Sequence, residues 1–305
     1  CMRKRIFALL TSLVLSLSLM TGCGETKTSA STGEAACAPA TESVATEESE
    51  TESVSFGADT QAIIDRGVLR VGVKNAVIGF GFQDTLTGEY SGLEISIAEK
   101  IAKSLGVDIE FTAVTAATRT ELLDAGDIDC VLATFTITEE RKNSWDFSTP
   151  YYTDYVSVLV ETATGIKTLE DLKDKTVGVS SGSTSAKALT KAMIEAGVID
   201  GASFDTDSFD AATWTTGVSF KQYDDYPAIS TALSAGEVDA FCVDKSILAI
   251  YNTDTRDYID AKFSPQDYGV ATKKGSDFSV YVETLVSTWL SDGTIAGFVA
   301  ENGLE

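Results

Sequence analysis

From about residue 60 onward the chain alternates short β-rich runs with amphipathic stretches, the rhythm of an α/β protein with mostly parallel sheets. Val68, Leu69, Val71 and Val73 predict a first strand. Ile97, Ile101 and Leu105, spaced by four, predict one face of a helix that Gly106 ends. Val107, Ile109 and Phe111 alternate as a second strand. A short helix through Leu122 and Leu123 stops at Gly126, and a third strand is expected from Ile128 to Leu132.

This unit then recurs. Val71-Gly72-Val73-Lys74 is echoed by Val177-Gly178-Val179-Ser180, and Ala125-Gly126-Asp127-Ile128-Asp129 by Ala235-Gly236-Glu237-Val238-Asp239. The paired glycines lie 54 residues apart in the first copy (72 to 126) and 58 in the second (178 to 236). Two echoes, in order and at nearly equal spacing, imply two related lobes. In open parallel sheets, ligands bind beyond the carboxyl ends of the strands. Those ends deliver Lys74 and Ser180. They also deliver Thr134 and Asp244, each five residues after an echoed aspartate. Two lobes facing each other would bring these four residues toward one cleft.

The N-terminal segment has a different pattern. Arg3, Lys4 and Arg5 precede an apolar run, Ile6 to Met20, shorter than the roughly 20 residues a membrane span needs. It suits the apolar region of a signal peptide over residues 1–22. Leu19-Met20-Thr21-Gly22-Cys23 resembles a bacterial lipobox, which implies lipid on Cys23. Residues 23–56, rich in Ser, Thr, Ala and Glu, cannot bury enough surface to offset ordering, so they read as a lipid-anchored, disordered tether. Cys37 falls in that tether. Cys130 and Cys242 sit in apolar strand contexts and are expected to be buried free thiols, not a disulfide.

Charge and composition narrow the function. A formal net charge of −23 opposes nucleic-acid binding, which needs a basic surface to release counterions. The chain has no histidine, which removes Ser-His-Asp triads, Cys-His pairs and histidine zinc sites together. Binding without chemistry is therefore the favoured class, with no metal or cofactor expected.

Gly92-Leu93-Glu94-Ile95-Ser96-Ile97 with Ile101-Ala102 is similar to the signature of the family 3 bacterial extracellular solute-binding proteins. Ala133-Thr134-Phe135-Thr136-Ile137-Thr138-Glu139-Glu140-Arg141 and Asp146-Phe147-Ser148-Thr149-Pro150-Tyr151-Tyr152 resemble that family's ligand-carboxylate segment. The likeness runs from residue 60 almost to the end. Within the family, Gly72-Val73-Lys74-Asn75, Thr118-Arg119, Val243-Asp244-Lys245-Ser246-Ile247-Leu248 and Pro265-Gln266-Asp267-Tyr268-Gly269 are most similar to aspartate/glutamate-binding proteins. Three features depart from the pattern. Ser96 stands where an acid is usual and is expected to face outward, and Val77 replaces a ligand-stacking aromatic. Ser203 to about Phe220 reads as an insertion.

The resemblance implies a two-lobe periplasmic-binding-protein type II fold. Lobe one would comprise 57–152 and 270–305, lobe two 156–266, and a two-strand hinge 151–156 and 267–270. It implies a monomeric lipoprotein outside the cytoplasmic membrane that captures an amino acid and passes it to the permease of an ABC importer. Arg141 would clamp the ligand α-carboxylate bidentately, assisted by Thr136, Ser183 and Thr184, with Thr134 giving a hydroxyl to the ligand head, Asp244 holding the ammonium and Tyr268 donating its hydroxyl to the ligand. Lys74 and Arg119 would form a cationic end for a side-chain carboxylate, hence glutamate or aspartate. Several of these residues have plainer readings. Thr136 could cap a helix with Glu139 as its partner, Ser183-Thr184 could be simple capping, and Lys74 and Arg119 could be surface salt bridges. Glutamine or another polar amino acid is the rival ligand. A dehydratase or a sensor on the same fold is the rival class.

Overall fold

A computed structural model describes residues 55–304. The expected signal peptide, the Cys23 anchor, Cys37 and all but the end of the tether lie outside the described residues. Helix α1 (Ala58–Arg66) opens the fold. Its N-terminal N–H groups at Asp59 and Thr60 are capped by the Asp277 carboxylate, from 217 or more residues further along. Strand β1 (Val68–Val73) follows, then a small meander of β2 (Ala76–Val77), β3 (Gly81–Gln83) and β4 (Tyr90–Ser91). Helix α2 (Leu93–Leu105) packs Ile97, Ile101 and Leu105 inward as its spacing predicts. Each such residue contributes about 1.5–3 kcal/mol by leaving water. Ser96, expected outward, is half-buried instead, and its hydroxyl bonds the Gly92 carbonyl one turn back.

Strand β5 (Asp108–Ala113), helix α3 (Thr118–Ala125) and strand β6 (Cys130–Leu132) complete the first unit. The short helix α4 (Glu139–Lys142) leads to β7 (Trp145–Phe147) and the long β8 (Tyr152–Glu161). The second unit runs through β9 (Lys175–Ser180), α5 (Ser185–Glu195), β10 (Val218–Tyr223), α6 (Tyr226–Ser234) and β11 (Ala240–Asp244). After α7 (Lys245–Leu248) come β12 (Arg256–Tyr258), β13 (Phe263–Tyr268) and β14 (Ala271–Lys273). Helices α8 (Asp277–Ser291) and α9 (Thr294–Glu301) end the chain on the first lobe.

One sheet has the order β5-β1-β6-β14-β7, the other β10-β9-β11-β8-β12, with β13 paired to β8. The repeat read from sequence is visible here. β1 lies between parallel β5 and β6, as β9 lies between parallel β10 and β11. Asp129 accepts the Arg70 N–H and Asp239 the Thr176 N–H, each at 2.8 Å, so the echoed aspartates tie equivalent strands. The echoed glycines also do the same work. A Cβ at Gly72 would lie 2.6 Å from Ile128, and one at Gly178 2.6 Å from Ile229.

The sheets are mixed, however, and not mostly parallel. β14 runs antiparallel to β6 and β7, and β8 antiparallel to β11, β12 and β13. The chain leaves one sheet between β7 and β8 and returns between β13 and β14, and returning strands run opposite. At this crossing Tyr152 pairs Tyr268, Thr153 pairs Asp267 and Asp154 pairs Gln266. Cys130 and Cys242 are buried free thiols. Residues 201–217, between α5 and β10, carry no helix or strand. Phe204, Phe209 and Trp214 gather there with ring centroids 5.5–5.9 Å apart, packed beside the second lobe's core.

Candidate functional site

The cleft is built on the loops that follow β1, β6, β9 and β11. After β6, Thr134 has φ +45°, a left-handed conformation that a threonine keeps only where its neighbours hold it. They do so on both sides of the residue. The Thr134 N–H donates to Glu94 Oε1 at 2.5 Å, and its carbonyl accepts from Arg119 Nη1 at 3.2 Å. The same Arg119 nitrogen donates to the Ala133 carbonyl at 2.8 Å. Glu94 Oε1 also accepts the Tyr151 hydroxyl at 2.6 Å. Glu94 is fully buried and Arg119 nearly so.

Phe135 is the platform for two guanidinium groups. That of Arg119 lies 3.9 Å from the ring centroid and that of Arg141 lies 4.7 Å away, both within cation–π range. Arg141 spans the lobes, donating from Nη1 to the Thr136 carbonyl at 2.7 Å and from Nη2 to the Gly182 carbonyl at 3.0 Å. Burial, then the charge of Arg119, lowers its pKa to about 9, so it stays charged at neutral pH. Gly182 sits at φ +72°, and a Cβ there would meet the Ala116 carbonyl at 2.8 Å. Only a glycine lets this turn of lobe two approach lobe one so closely.

Thr138, not Thr136, is the N-cap of α4, its hydroxyl accepting the Arg141 N–H at 3.1 Å. The Thr136 hydroxyl instead donates to Gln266 Oε1 at 2.8 Å. The Thr184 hydroxyl, from the start of α5, donates to the same oxygen at 2.7 Å. Gln266, on crossing strand β13, thus gathers one threonine from each lobe.

Asp244, the last residue of β11, is buried, deeper than a strand-end aspartate usually lies. Its Oδ2 accepts the Tyr268 hydroxyl, which also lies 3.4 Å from Asp154 Oδ2. Burial, opposed by the Tyr268 bond and reinforced by Asp154, raises the Asp244 pKa to about 7. Lys74, equally buried, holds its ammonium 5.4 Å from the Tyr226 ring centroid. Burial and then Arg119 lower its pKa to about 7.

Buried polar atoms with no hydrogen-bond partner in the protein collect in this region. They include Asp244 Oδ1, Arg119 Nε, Glu94 Oε2 and Ser183 Oγ. Such atoms are costly unless something else satisfies them. A cavity of about 840 Å³ opens between the lobes, lined by Arg119, Phe135, Arg141, Ser183, Thr184 and, from the 201–217 segment, Phe209. Its volume is within the range of small-molecule sites. Lys74 lines a separate pocket of about 40 Å³ with Val77, Ser180 and Tyr226. Arg119 and Arg141 therefore share a chamber, while Lys74 faces a neighbouring one and reaches Arg119 through the electrostatic field. Among the described residues, no group of three or more His, Cys, Asp or Glu could hold a metal ion, and no helix is long and apolar enough to cross a membrane.

Sequence reasoning did not assign roles to Glu94, Phe135, Asp154, Tyr226 or Gln266. Glu94, Phe135 and Gln266 lie inside the quoted motifs. Tyr226 is the first residue of α6, directly before its proline, and nothing in its local pattern distinguishes it.

Two α/β lobes joined by crossing strands, with a cavity between them that holds two arginines, are the architecture of a solute-binding protein. The chain belongs to the bacterial extracellular solute-binding proteins, family 3, whose profile matches residues 69–257. It is 31% identical over 297 residues to the ABC transporter glutamine-binding protein of Bacillus subtilis strain 168, covering 95% of this chain and 94% of that one. It is 34% identical over 241 residues to the glutamine-binding protein of Geobacillus stearothermophilus, covering 77% and 83%. Among solved structures, an ancestral arginine-binding protein bound to arginine is similar at TM-score 0.64 and 32% identity, over 77% of this chain and 98% of that one.

Proposed function

We propose that this protein captures an amino acid between its lobes and delivers it to the permease of an ABC importer. One observation carries the reading: Arg141, half-buried in the interlobe cavity, lies in the electrostatic field of Asp244, which is buried and keeps one oxygen with no hydrogen-bond partner in the protein. An α-carboxylate and an α-ammonium are the two charges such a cleft would pair, since burying either alone is costly. Arg141 with Ser183, Thr184 and Thr136 would take the carboxylate. Asp244, steadied by Tyr268, would take the ammonium. In this reading Asp244 is a counter-ion, not an acid or base, and the protein is no enzyme.

For the side chain, Lys74 and Arg119 supply positive charge and favour glutamate or aspartate. A second reading, glutamine, is favoured by the carboxylate of Glu94, which offsets part of that charge, and by the two glutamine-binding relatives. Both readings place the protein outside the membrane as a monomer, tethered through lipid on Cys23. Calorimetry of denatured and refolded protein, freed of carried-over ligand, against the twenty amino acids is the test. Binding of one or a few polar amino acids is expected. Binding of none would refute the reading.

A further inference from the structure

Glu94 begins helix α2 inside the first lobe, and the ligand contacts proposed above do not use it. A carboxylate taken fully out of water needs compensation. Here the hydrogen bonds reach only one oxygen, from the Thr134 N–H at 2.5 Å and the Tyr151 hydroxyl at 2.6 Å, while Oε2 has no partner in the protein. The two cations of the proposed side-chain subsite are in a matching position. Neither Lys74 nor Arg119 forms an ion pair with a described carboxylate, and both are buried.

Geometry connects the three groups. Thr134 donates its N–H to Glu94 and gives its carbonyl to Arg119, so carboxylate and guanidinium grip one residue from two sides. Their fields overlap as well. Burial raises the Glu94 pKa, and the Tyr151 and Thr134 bonds and the charges of Lys74 and Arg119 work against that rise, while Glu94 in turn favours the charged forms of Lys74 and Arg119. Two cations and one anion thus act as a single electrostatic unit. With Glu94 ionised the unit carries one net positive charge, matched to one side-chain carboxylate. Without it there would be two.

We infer that Glu94 is a specificity-determining residue, which sets how strongly the cleft prefers an acidic over an amide side chain by cancelling one of the two cationic charges of Lys74 and Arg119. This rests on the amino-acid reading above.

The test is calorimetric affinity for glutamate, aspartate and glutamine in wild type and Glu94→Gln. The glutamine side chain keeps an oxygen to accept the Thr134 and Tyr151 bonds, so the loop geometry is retained while the charge is lost. The ratio of glutamate to glutamine affinity should rise about tenfold or more, the effect of removing one buried charge at an effective dielectric near ~20. A ratio unchanged from wild type overturns the inference. Lys74→Met keeps it falsifiable should Glu94→Gln not fold. With Lys74 gone, Glu94 and Arg119 cancel, and any preference for glutamate should vanish. A preference persisting at its wild-type size would mean Arg119 acts uncompensated, and Glu94 has no such role. If wild type binds no amino acid, the proposed function falls and the inference with it, an outcome distinct from binding with an unmoved ratio.

Discussion

Two buried groups beside the cleft titrate near neutrality with opposite consequences, which predicts a pH signature that depends on the ligand's side chain. Asp244 must be ionised to hold an ammonium, yet burial raises its pKa to about 7. Below that pH the ligand must displace a proton, so affinity falls as pH drops. Lys74 must be protonated to hold a side-chain carboxylate, yet burial lowers its pKa to about 7. Above that pH an acidic ligand must recruit a proton, so its affinity falls as pH rises. Glutamine makes no such demand on Lys74. Each unit away from the relevant pKa costs about 1.4 kcal/mol. Glutamate affinity should therefore peak near pH 7 and lie about eightfold lower at both 5.5 and 8.5. Glutamine affinity should rise throughout, by roughly thirtyfold from 5.5 to 8.5. Titration calorimetry in buffers of different ionisation enthalpy reads both quantities, since protons are released on the acid side and taken up on the alkaline side. Asp244→Asn should abolish the acid limb for either ligand and weaken both. Glutamate binding that is flat from pH 5.5 to 8.5, or glutamine binding that declines above 7, would refute this account.

Arg141→Ala should weaken every amino-acid ligand by about 2–5 kcal/mol, because it removes the carboxylate fork and the bond to the Gly182 carbonyl; near-native calorimetric affinity would exclude it from the site. Arg119→Met should reduce acidic ligands more than glutamine. It should also lower the unfolding midpoint, since two backbone carbonyls lose their donor; equal loss of all three ligands would discount a role in selectivity. Gln266→Leu should cost about 1–3 kcal/mol in denaturant unfolding, because the Thr136 and Thr184 hydroxyls lose one shared acceptor. It should also widen the ligand-free scattering envelope, and an unchanged envelope and midpoint would argue that the clasp is idle.

The repeat was legible because each echoed residue has a local physical job. Gly72 and Gly178 leave room for Ile128 and Ile229, and Asp129 and Asp239 each tie a neighbouring strand. Strand ends likewise made Lys74, Thr134, Ser180 and Asp244 visible as cleft candidates. The meander at 76–91 was not visible, because strands of two or three residues are too short to show a period. Nor were the antiparallel pairings, which follow from the chain's return path through the hinge and not from any one segment's composition. Glu94 reads locally as an ordinary acid in a first helical turn. Its importance depends on the backbone of Thr134, forty residues away, and on Tyr151, further still.

The placement of β14 has a consequence for the order in which the molecule comes together during synthesis. All the strands of the second lobe lie between residues 152 and 268, so that lobe can assemble once a continuous stretch has emerged. The first lobe begins more than eighty residues earlier, yet β7 joins its sheet through β14, residues 271–273, and α8 supplies the carboxylate that caps α1. Until the last segment appears, β1, β5 and β6 have an unpaired edge on the β6 side. Domains tend to fold as units as they leave the ribosome, and open strand edges invite misassembly. The lobe that starts first is thus the one that finishes last, and its exposed edge is the interval in which an unfinished chain is most vulnerable.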